Sequence, residues 1–175
     1  MQQIILYSDG CSAQNRNCTL SNALLNLALE KHVCIIQKYL EKGNTQMEYD
    51  SMHSTIERQL KGRTINLPAD YVSLCKLARK NPRPYEMSYL DYTFFKDFNK
   101  LNLIKSIRPG FKIGDSTVNN LRALKYNPDG KIEFKIKHSK EFQDMPMRLK
   151  PNLNYISIDS LPLLYKEQLK IKKKF

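Results

Sequence analysis

The order of apolar and polar residues predicts a strand, a helix and a second strand at the start of this chain. Residues 4–7 (IILY) form an apolar run that ends at Asp9, which is typical of a buried strand. Residues 19–32 carry leucine and alanine at helical spacing, with a threonine or serine available as N-cap. A β-branched run starts at Val33, so the pattern predicts a β-α-β unit with parallel strands.

Two amphipathic helices are predicted next. In residues 50–60 an apolar side chain recurs every four positions. At about 100° per residue, three polar residues fall together on the adjoining face of this helix: Asp50, His53 and Glu57. Residues 69–80, between Pro68 and Pro82, predict the second helix.

The second half of the chain has a different character. Residues 85–90 resemble a strand, and residues 92–98 resemble a short aromatic helix. Residues 121–137 alternate in polarity on both sides of the turn sequence NPDG at 127–130, which predicts a β-hairpin. We therefore expect an α/β chain with a β-α-β-α core followed by an α+β extension.

Composition and charge narrow the class of partner. The chain has 175 residues, 41% of them apolar, and a net charge of +12, so it can bury a core and attract an anionic partner. Residues 96–175 hold 18 Lys and Arg against 8 Asp and Glu. Nucleic acid is the leading expectation, ahead of an acidic membrane surface.

The cysteines and the apolar runs bear on location. The four cysteines form no C-x-x-C pair, and the N-terminus has no charged segment followed by an apolar signal core. No apolar run approaches the roughly 20 residues that cross a bilayer. We expect an intracellular protein with free thiols, nuclear or otherwise cytoplasmic, which is neither secreted nor embedded in a membrane.

A pair of carboxylates is the candidate for chemistry. Asp9 ends a predicted strand, and Asp50 and Glu57 lie on a helix that follows the next strand. This arrangement can bring carboxylates to the end of a sheet, where they suit Mg²⁺ or Mn²⁺ and the two-metal chemistry of phosphate transfer. The candidate catalytic and metal residues are Asp9, Asp50 and Glu57.

Structural roles explain the same residues equally well. Asp9 is followed by a glycine, and this pair of residues is common in turns. Ser54 to Glu57 fits a capping box, in which Glu57 holds the start of a helix, and Asp50 is a possible N-cap. His53 is compatible with a surface position on a helix.

Amide and basic side chains supply candidates for contacts to nucleic acid. The loop amides could bind phosphate or base edges, although amides are common in loops, and the hairpin lysines are either phosphate ligands or the solvated face of a strand pair. The candidate residues are Gln14, Asn15, Arg16, Asn17, His53, Lys125, Lys131, Lys135 and Lys137.

Two motifs together resemble a family of transposase-derived proteins. SDGCSAQNRN (8–17) and GNTQMEYDSMHSTIERQL (43–60) resemble the paired motifs of a family of insect and other animal genomes that is catalogued as a domain of unknown function. LPADYVSLCKLARK, PYEMSYLDYTFFKDF and SIRPGFKIGDSTVNNLRALKY resemble the same family, so the similarity covers nearly the whole chain. The family is similar in layout to ribonuclease H-like integrases and DDE transposases.

The resemblance implies a fold, a reaction and a division of the chain. It implies a partial ribonuclease H-like core in residues 1–83, a basic extension in residues 84–175, and metal-dependent cleavage and transfer of DNA strands. Asp9 would be the second acidic ligand and Glu57 the final one, with Asp50 as the alternative. These roles are implied by the resemblance alone.

Two departures lead us to expect a fragment that is inactive alone. Asn44 stands where the family has His, and the chain begins at what would be a later strand, without the first Asp of such a site. A truncated or decayed mobile element would explain both departures. The rival expectations are a non-catalytic nucleic-acid-binding module and a protein-interaction domain.

Overall fold

The computed structural model describes residues 2–41, 48–146 and 154–165, which fall into two compact units. Unit 1 comprises Met1–Thr45 and Phe95–Phe175, and unit 2 is Gln46–Phe94. The helices and strands of the described residues are, in chain order, β1 Gln3–Ser8, α1 Cys18–Lys31, β2 Cys34–Tyr39, α2 Glu48–Leu60, α3 Pro68–Leu77, β3 Ala123–Tyr126, β4 Ile132–Lys135 and β5 Gln143–Asp144. Asn44 lies outside the described residues.

Unit 1 is built on a mixed sheet. Its five described strands follow the order β1-β2-β3-β4-β5. β1 and β2 are parallel and joined through α1, whereas the remaining neighbours are antiparallel. The predicted α/β class, the β-α-β unit and the hairpin are therefore confirmed. The hairpin adds to the sheet of β1 and β2, so the compact units differ from the predicted division at residue 83.

The start of α1 corrects the predicted cap. The Asn17 side chain, rather than Thr19 or Ser21, accepts a hydrogen bond from the Leu20 amide at 2.8 Å. Asn17 has extended backbone angles, as an N-cap requires, whereas the two hydroxyl residues already lie inside the helix. The helix ends at His32, which has a left-handed conformation with φ 53°.

The apolar core of unit 1 lies between α1 and one face of the sheet. Its buried members come from α1, from β2 to β4, from the segments before β2 and β3, and from the residue after β5. They are Leu24, Leu25, Ala28, Leu29, Val33, Ile35, Tyr39, Leu103, Ile104, Ile107, Leu121, Leu124, Tyr126, Ile132, Phe134 and Met145. The opposite face of the sheet, which we call the outer face, carries the alternate residues of each strand.

Two asparagines of α1 tether distant segments of unit 1. Asn22 donates to the carbonyl of Ile104 at 3.0 Å and accepts from its amide at 2.8 Å. Asn26, one turn later, makes the same pair of bonds to Ile156, both at 2.8 Å. These amides satisfy backbone groups that have no strand to pair with, which explains asparagines inside an apolar helix.

A polar cluster lies within the core. The Gln37 Oε1 atom lies 3.0 Å from the Tyr39 hydroxyl and 3.1 Å from the Tyr126 hydroxyl. The Tyr126 hydroxyl also lies 3.0 Å from the hydroxyl of Ser21 on α1. Burial raises the pKa of both tyrosines, so both hydroxyls stay protonated and can donate.

Unit 2 contains α2 and α3, which pack against each other. Because α2 runs from Glu48 to Leu60, Glu57 and Asp50 both lie inside it, and neither is the helix cap that the capping alternative proposed. The start of α3 is held by Asp70, whose carboxylate accepts from the amides of Asn66 and Leu67.

Two further predictions for residues 85–98 need correction. Residues 85–90 form no strand, since the described part of unit 2 offers no strand to pair with them. The aromatic segment forms two short 3₁₀ turns, Tyr92–Phe94 and Phe98–Lys100, instead of one helix.

None of the described helices combines the length and the apolar character needed to cross a bilayer.

Candidate functional site

The Asp9 carboxylate closes the loop that follows β1. Its Oδ1 atom accepts from the Cys11 amide at 3.1 Å and from the side-chain amide of Asn15. Asp9 itself is exposed, at the carboxyl end of a strand with a parallel neighbour. The first predicted ligand therefore has a structural role in the loop and a position open to ligands.

The loop amides serve mainly to hold the loop. The Asn15 carbonyl accepts from the Gln37 side chain at 3.0 Å, which fixes the loop to β2. Asn17 caps α1 and donates to the carbonyls of Ala13 at 3.1 Å and Gln14 at 2.9 Å. Of these predicted nucleic-acid contacts, Gln14 has the exposed side chain.

Arg16 is buried, with 8% of its surface exposed. Its Nη1 atom donates to the Asn119 carbonyl at 3.0 Å, and its guanidinium lies 4.6 Å from the centre of the Tyr39 ring. Burial lowers the pKa of Arg16, and the nearby carboxylate of Asp9 partly offsets that effect. The side chain thus anchors the loop to the segment before β3.

The other predicted acidic residues belong to unit 2. Asp50, His53 and Glu57 lie on successive turns of α2, as the sequence predicts. The His53 ring makes an edge contact with Tyr49, with ring centres 5.1 Å apart. Across the described ranges, no group of three or more His, Cys, Asp or Glu side chains is placed to hold a metal ion.

The outer face of the sheet brings basic and aromatic side chains together. The strand register aligns Tyr7 with Lys38, Lys38 with Ala123, and Ala123 with Lys135 in one row across four strands. Partners in such ladders point to the same side of a sheet. This row is therefore continuous on the outer face.

A second row lies beside the first. It aligns Ile5, Ile36, Lys125 and Glu133 on the same four strands. Lys125 and Glu133 form an ion pair at 2.6 Å, and this hydrogen bond raises the pKa of Lys125. The charge of Lys125 is thereby largely compensated inside the sheet.

Aromatic rings stand beside the lysines of the outer face. The Lys38 ammonium lies 5.4 Å from the centre of the Tyr7 ring. Phe142, in the turn after β4, has the ammonium groups of Lys135 and Lys125 at 4.5 and 5.5 Å from its ring centre. Tyr7 keeps 55% of its surface exposed although it lies in a strand.

The remaining predicted lysines lie in the turns around β4. Lys131 is exposed in the hairpin turn and lies 3.9 Å from a carboxylate oxygen of Asp129. Lys137 is exposed after β4 and, with Arg122 and His138, lines a cavity of about 680 Å³. Arg122 is itself paired with Glu41 at 3.0 Å.

Sequence reasoning missed Tyr7, Lys38 and Phe142. The sequence predicts that Tyr7 belongs to a buried strand, whereas its side chain is exposed, and Lys38 lies in the second predicted strand. The alternation of residues in β1 and β2 places Tyr7 and Lys38 on one face, but this face becomes a candidate site only when the hairpin is known to join the same sheet.

No protein-family model, curated protein or solved structure matches this chain.

Proposed function

We propose that unit 1 is a non-catalytic nucleic-acid-binding module that holds DNA phosphates on its outer face. The row that contains Lys38 and Lys135 carries this proposal, because two lysines on β2 and β4, separated by Ala123 on β3, belong to one continuous row. The net charge of +12 supports it, since a basic protein attracts a polyanion and releases its counterions. A nuclear location would fit this role.

The loop after β1 serves as scaffold in this proposal. Asp9 and Asn15 bond to each other, and Arg16 is buried against Tyr39. Their side chains therefore stabilise the carboxyl end of β1, and the phosphates are bound by the lysines of the sheet.

The test is the salt dependence of DNA binding by the full chain and by a double variant, Lys38→Gln with Lys135→Gln. Each lost phosphate contact should reduce the slope of log K against log salt by about 0.9 for duplex DNA or about 0.7 for a single strand. The matched control is Lys105→Gln with Lys112→Gln, which removes the same charge from two exposed loop residues.

The outcomes separate the rival functions. A slope that falls in the outer-face variant and stays near the wild-type value in the control supports the proposal. An equal fall in both variants contradicts the outer face as the binding surface. Absence of salt-dependent binding by the unchanged protein contradicts nucleic-acid binding and favours a protein-interaction domain.

Metal-dependent DNA cleavage by a partial ribonuclease H-like core is the second candidate. The observation that favours it is the exposed Asp9 carboxylate at the carboxyl end of β1, the place where unit 1 could supply one ligand to Mg²⁺ or Mn²⁺. No group of three potential ligands occurs among the described residues, so we derive no catalytic step.

Nicking of supercoiled DNA with Mn²⁺ tests this second candidate. Asp9→Asn keeps an oxygen that can accept from the Cys11 amide, and so preserves the loop while it removes the charge. Nicking that is lost in this variant and retained in Lys105→Gln would support cleavage. No nicking by the unchanged protein, or equal nicking by Asp9→Asn, would contradict it.

A further inference from the structure

We propose that the outer face binds unpaired DNA strands in preference to duplex DNA, with a base stacked on Tyr7 and the neighbouring phosphates on Lys38 and Lys135. This inference rests on the proposed function of the outer face and specifies its substrate. The carrying observation is an exposed aromatic ring in the same row as two lysines.

Tyr7 is placed as a stacking platform. It lies on β1, which in the described sheet pairs with β2 and stands at the end of the strand order. The ring is 55% exposed, and the Lys38 ammonium stands 5.4 Å from its centre. A base on the free surface of the ring would therefore bring its phosphate within reach of that ammonium.

The row from Tyr7 to Lys135 is long enough for a few nucleotides, and we call it the track. Neighbouring strands lie about 4.8 Å apart, so the backbones at Tyr7 and Lys135 are separated by about 14 Å. Between the two lysines the row contains only Ala123, which is covered by its neighbours and 1% exposed. A nucleic-acid strand that follows the row would therefore pass the ring, then Lys38, and then Lys135 beyond the covered Ala123.

Phe142 offers a second ring at the far end of this track. The Lys135 ammonium lies 4.5 Å from the Phe142 ring centre, much as Lys38 lies beside Tyr7. Because Glu133 compensates Lys125, the ammonium with the larger share of uncompensated charge near this ring belongs to Lys135. The track therefore has a ring and a cation at each end.

The rings supply the preference for an unpaired strand. In a duplex the faces of the bases are already stacked on one another, and the surface of the helix presents phosphates. Lysines attract both forms of DNA, whereas an exposed ring gains contact only with a base that has left the stack. Removing a ring should therefore weaken single-strand binding selectively.

The test compares Tyr7→Leu with Tyr7→Phe in the full chain. The probes are an oligothymidine strand and a duplex of equal length at one fixed salt concentration. Tyr7→Leu should weaken binding of the single strand about tenfold, while Tyr7→Phe keeps the ring and most of the affinity. Duplex binding should change less than about twofold in both variants.

A fluorescent variant gives an independent measurement. The sequence contains no tryptophan, so Tyr7→Trp places a single indole at the proposed platform. Stacking of thymine should quench its emission at saturating single strand, and saturating duplex should leave it nearly unchanged. An emission that responds equally to both forms of DNA contradicts stacking.

The outcomes keep the two proposals distinguishable. Equal loss of single-strand and duplex binding in Tyr7→Leu, or no loss, overturns the inference and leaves the lysine-dependent function standing. If the unchanged protein binds neither form, both proposals fail. Urea midpoints of the variants that match the unchanged protein exclude unfolding as the cause, as expected for an exposed side chain.

Discussion

The asparagine tethers of α1 give a sharp prediction for stability. Asn22→Ala removes the buried hydrogen bonds from Asn22 to the amide and the carbonyl of Ile104, and the carbonyl keeps only the weaker thiol donor of Cys18 at 3.3 Å. Asn26→Ala removes the same pair of bonds to Ile156, which are only partly buried. The two variants have identical chemistry on one helix and differ in whether water can replace the lost partner.

The expected magnitudes follow from that difference. Each buried group left without a partner costs about 1–3 kcal/mol, while alanine returns about 0.5 kcal/mol through its higher helix propensity. Because the Ile104 amide is left without a partner and its carbonyl keeps the Cys18 thiol, Asn22→Ala should lower the free energy of unfolding by about 1–4 kcal/mol. Asn26→Ala should cost about 1–2 kcal/mol, since hydrated groups lose only the net value of a hydrogen bond.

Urea unfolding followed by circular dichroism measures both values. With an m-value of about 2 kcal/mol/M, Asn22→Ala should move the midpoint down by about 0.5–2 M, and further than Asn26→Ala, which should move it by less than about 1 M. Equal losses, or a larger loss in Asn26→Ala, would refute the argument that burial of the orphaned backbone groups sets the cost.

Two further predictions concern Glu133, in the second row of the outer face, and the close contact between Gly110 and Asp115. Burial alone would raise the pKa of Glu133, but hydrogen bonds from Lys125 and Asn127 outweigh it and hold that pKa below its usual range. The resulting stabilisation is present above the ordinary glutamate pKa of about 4.3 and is lost as pH falls through the lowered value. Urea midpoints of Glu133→Gln should therefore decline less on acidification than those of the unchanged protein. Parallel declines of the two proteins would contradict a stabilising role of the Lys125–Glu133 pair. At Gly110, an added Cβ would collide with the Cβ of Asp115, whose carboxylate accepts from the amides of Phe111 and Lys112. Gly110→Ala should cost about 1–3 kcal/mol through overpacking, and an unchanged thermal midpoint would show that the turn adjusts freely.

Local patterns of the sequence were sufficient for the elements that carry their own periodicity. Six elements lie close to their predicted positions, because apolar spacing and turn residues are encoded within a few positions. They are β1, α1, β2, α2, α3 and the hairpin. Residues 85–90 illustrate the limit. Their composition suits a strand, but a strand also needs a neighbour, and local composition carries no information about one.

The candidate site depended on pairing that no local pattern encodes. Lys135 was identified on the hairpin, but its row with Tyr7 exists only because β3 pairs with β2 across a long stretch of chain. Arg16 shows the opposite effect. The sequence makes it a candidate contact to nucleic acid, but its side chain is buried and donates to the Asn119 carbonyl, more than a hundred residues away.

The polar cluster around Gln37 determines how β2 and β3 are aligned. Apolar side chains alone would tolerate a shift of β3 by two residues, since such a shift restores the same alternation of faces. Gln37 pairs with Leu124 in the ladder, and its Oε1 atom meets the hydroxyls of Tyr39 and Tyr126. A shift of β3 would take the buried Tyr126 hydroxyl away from both Gln37 and Ser21, at a cost of about 1–3 kcal/mol. The cluster therefore favours one register of β3 against β2, two strands that lie far apart in the chain. In this register Lys38, Ala123 and Lys135 belong to one row.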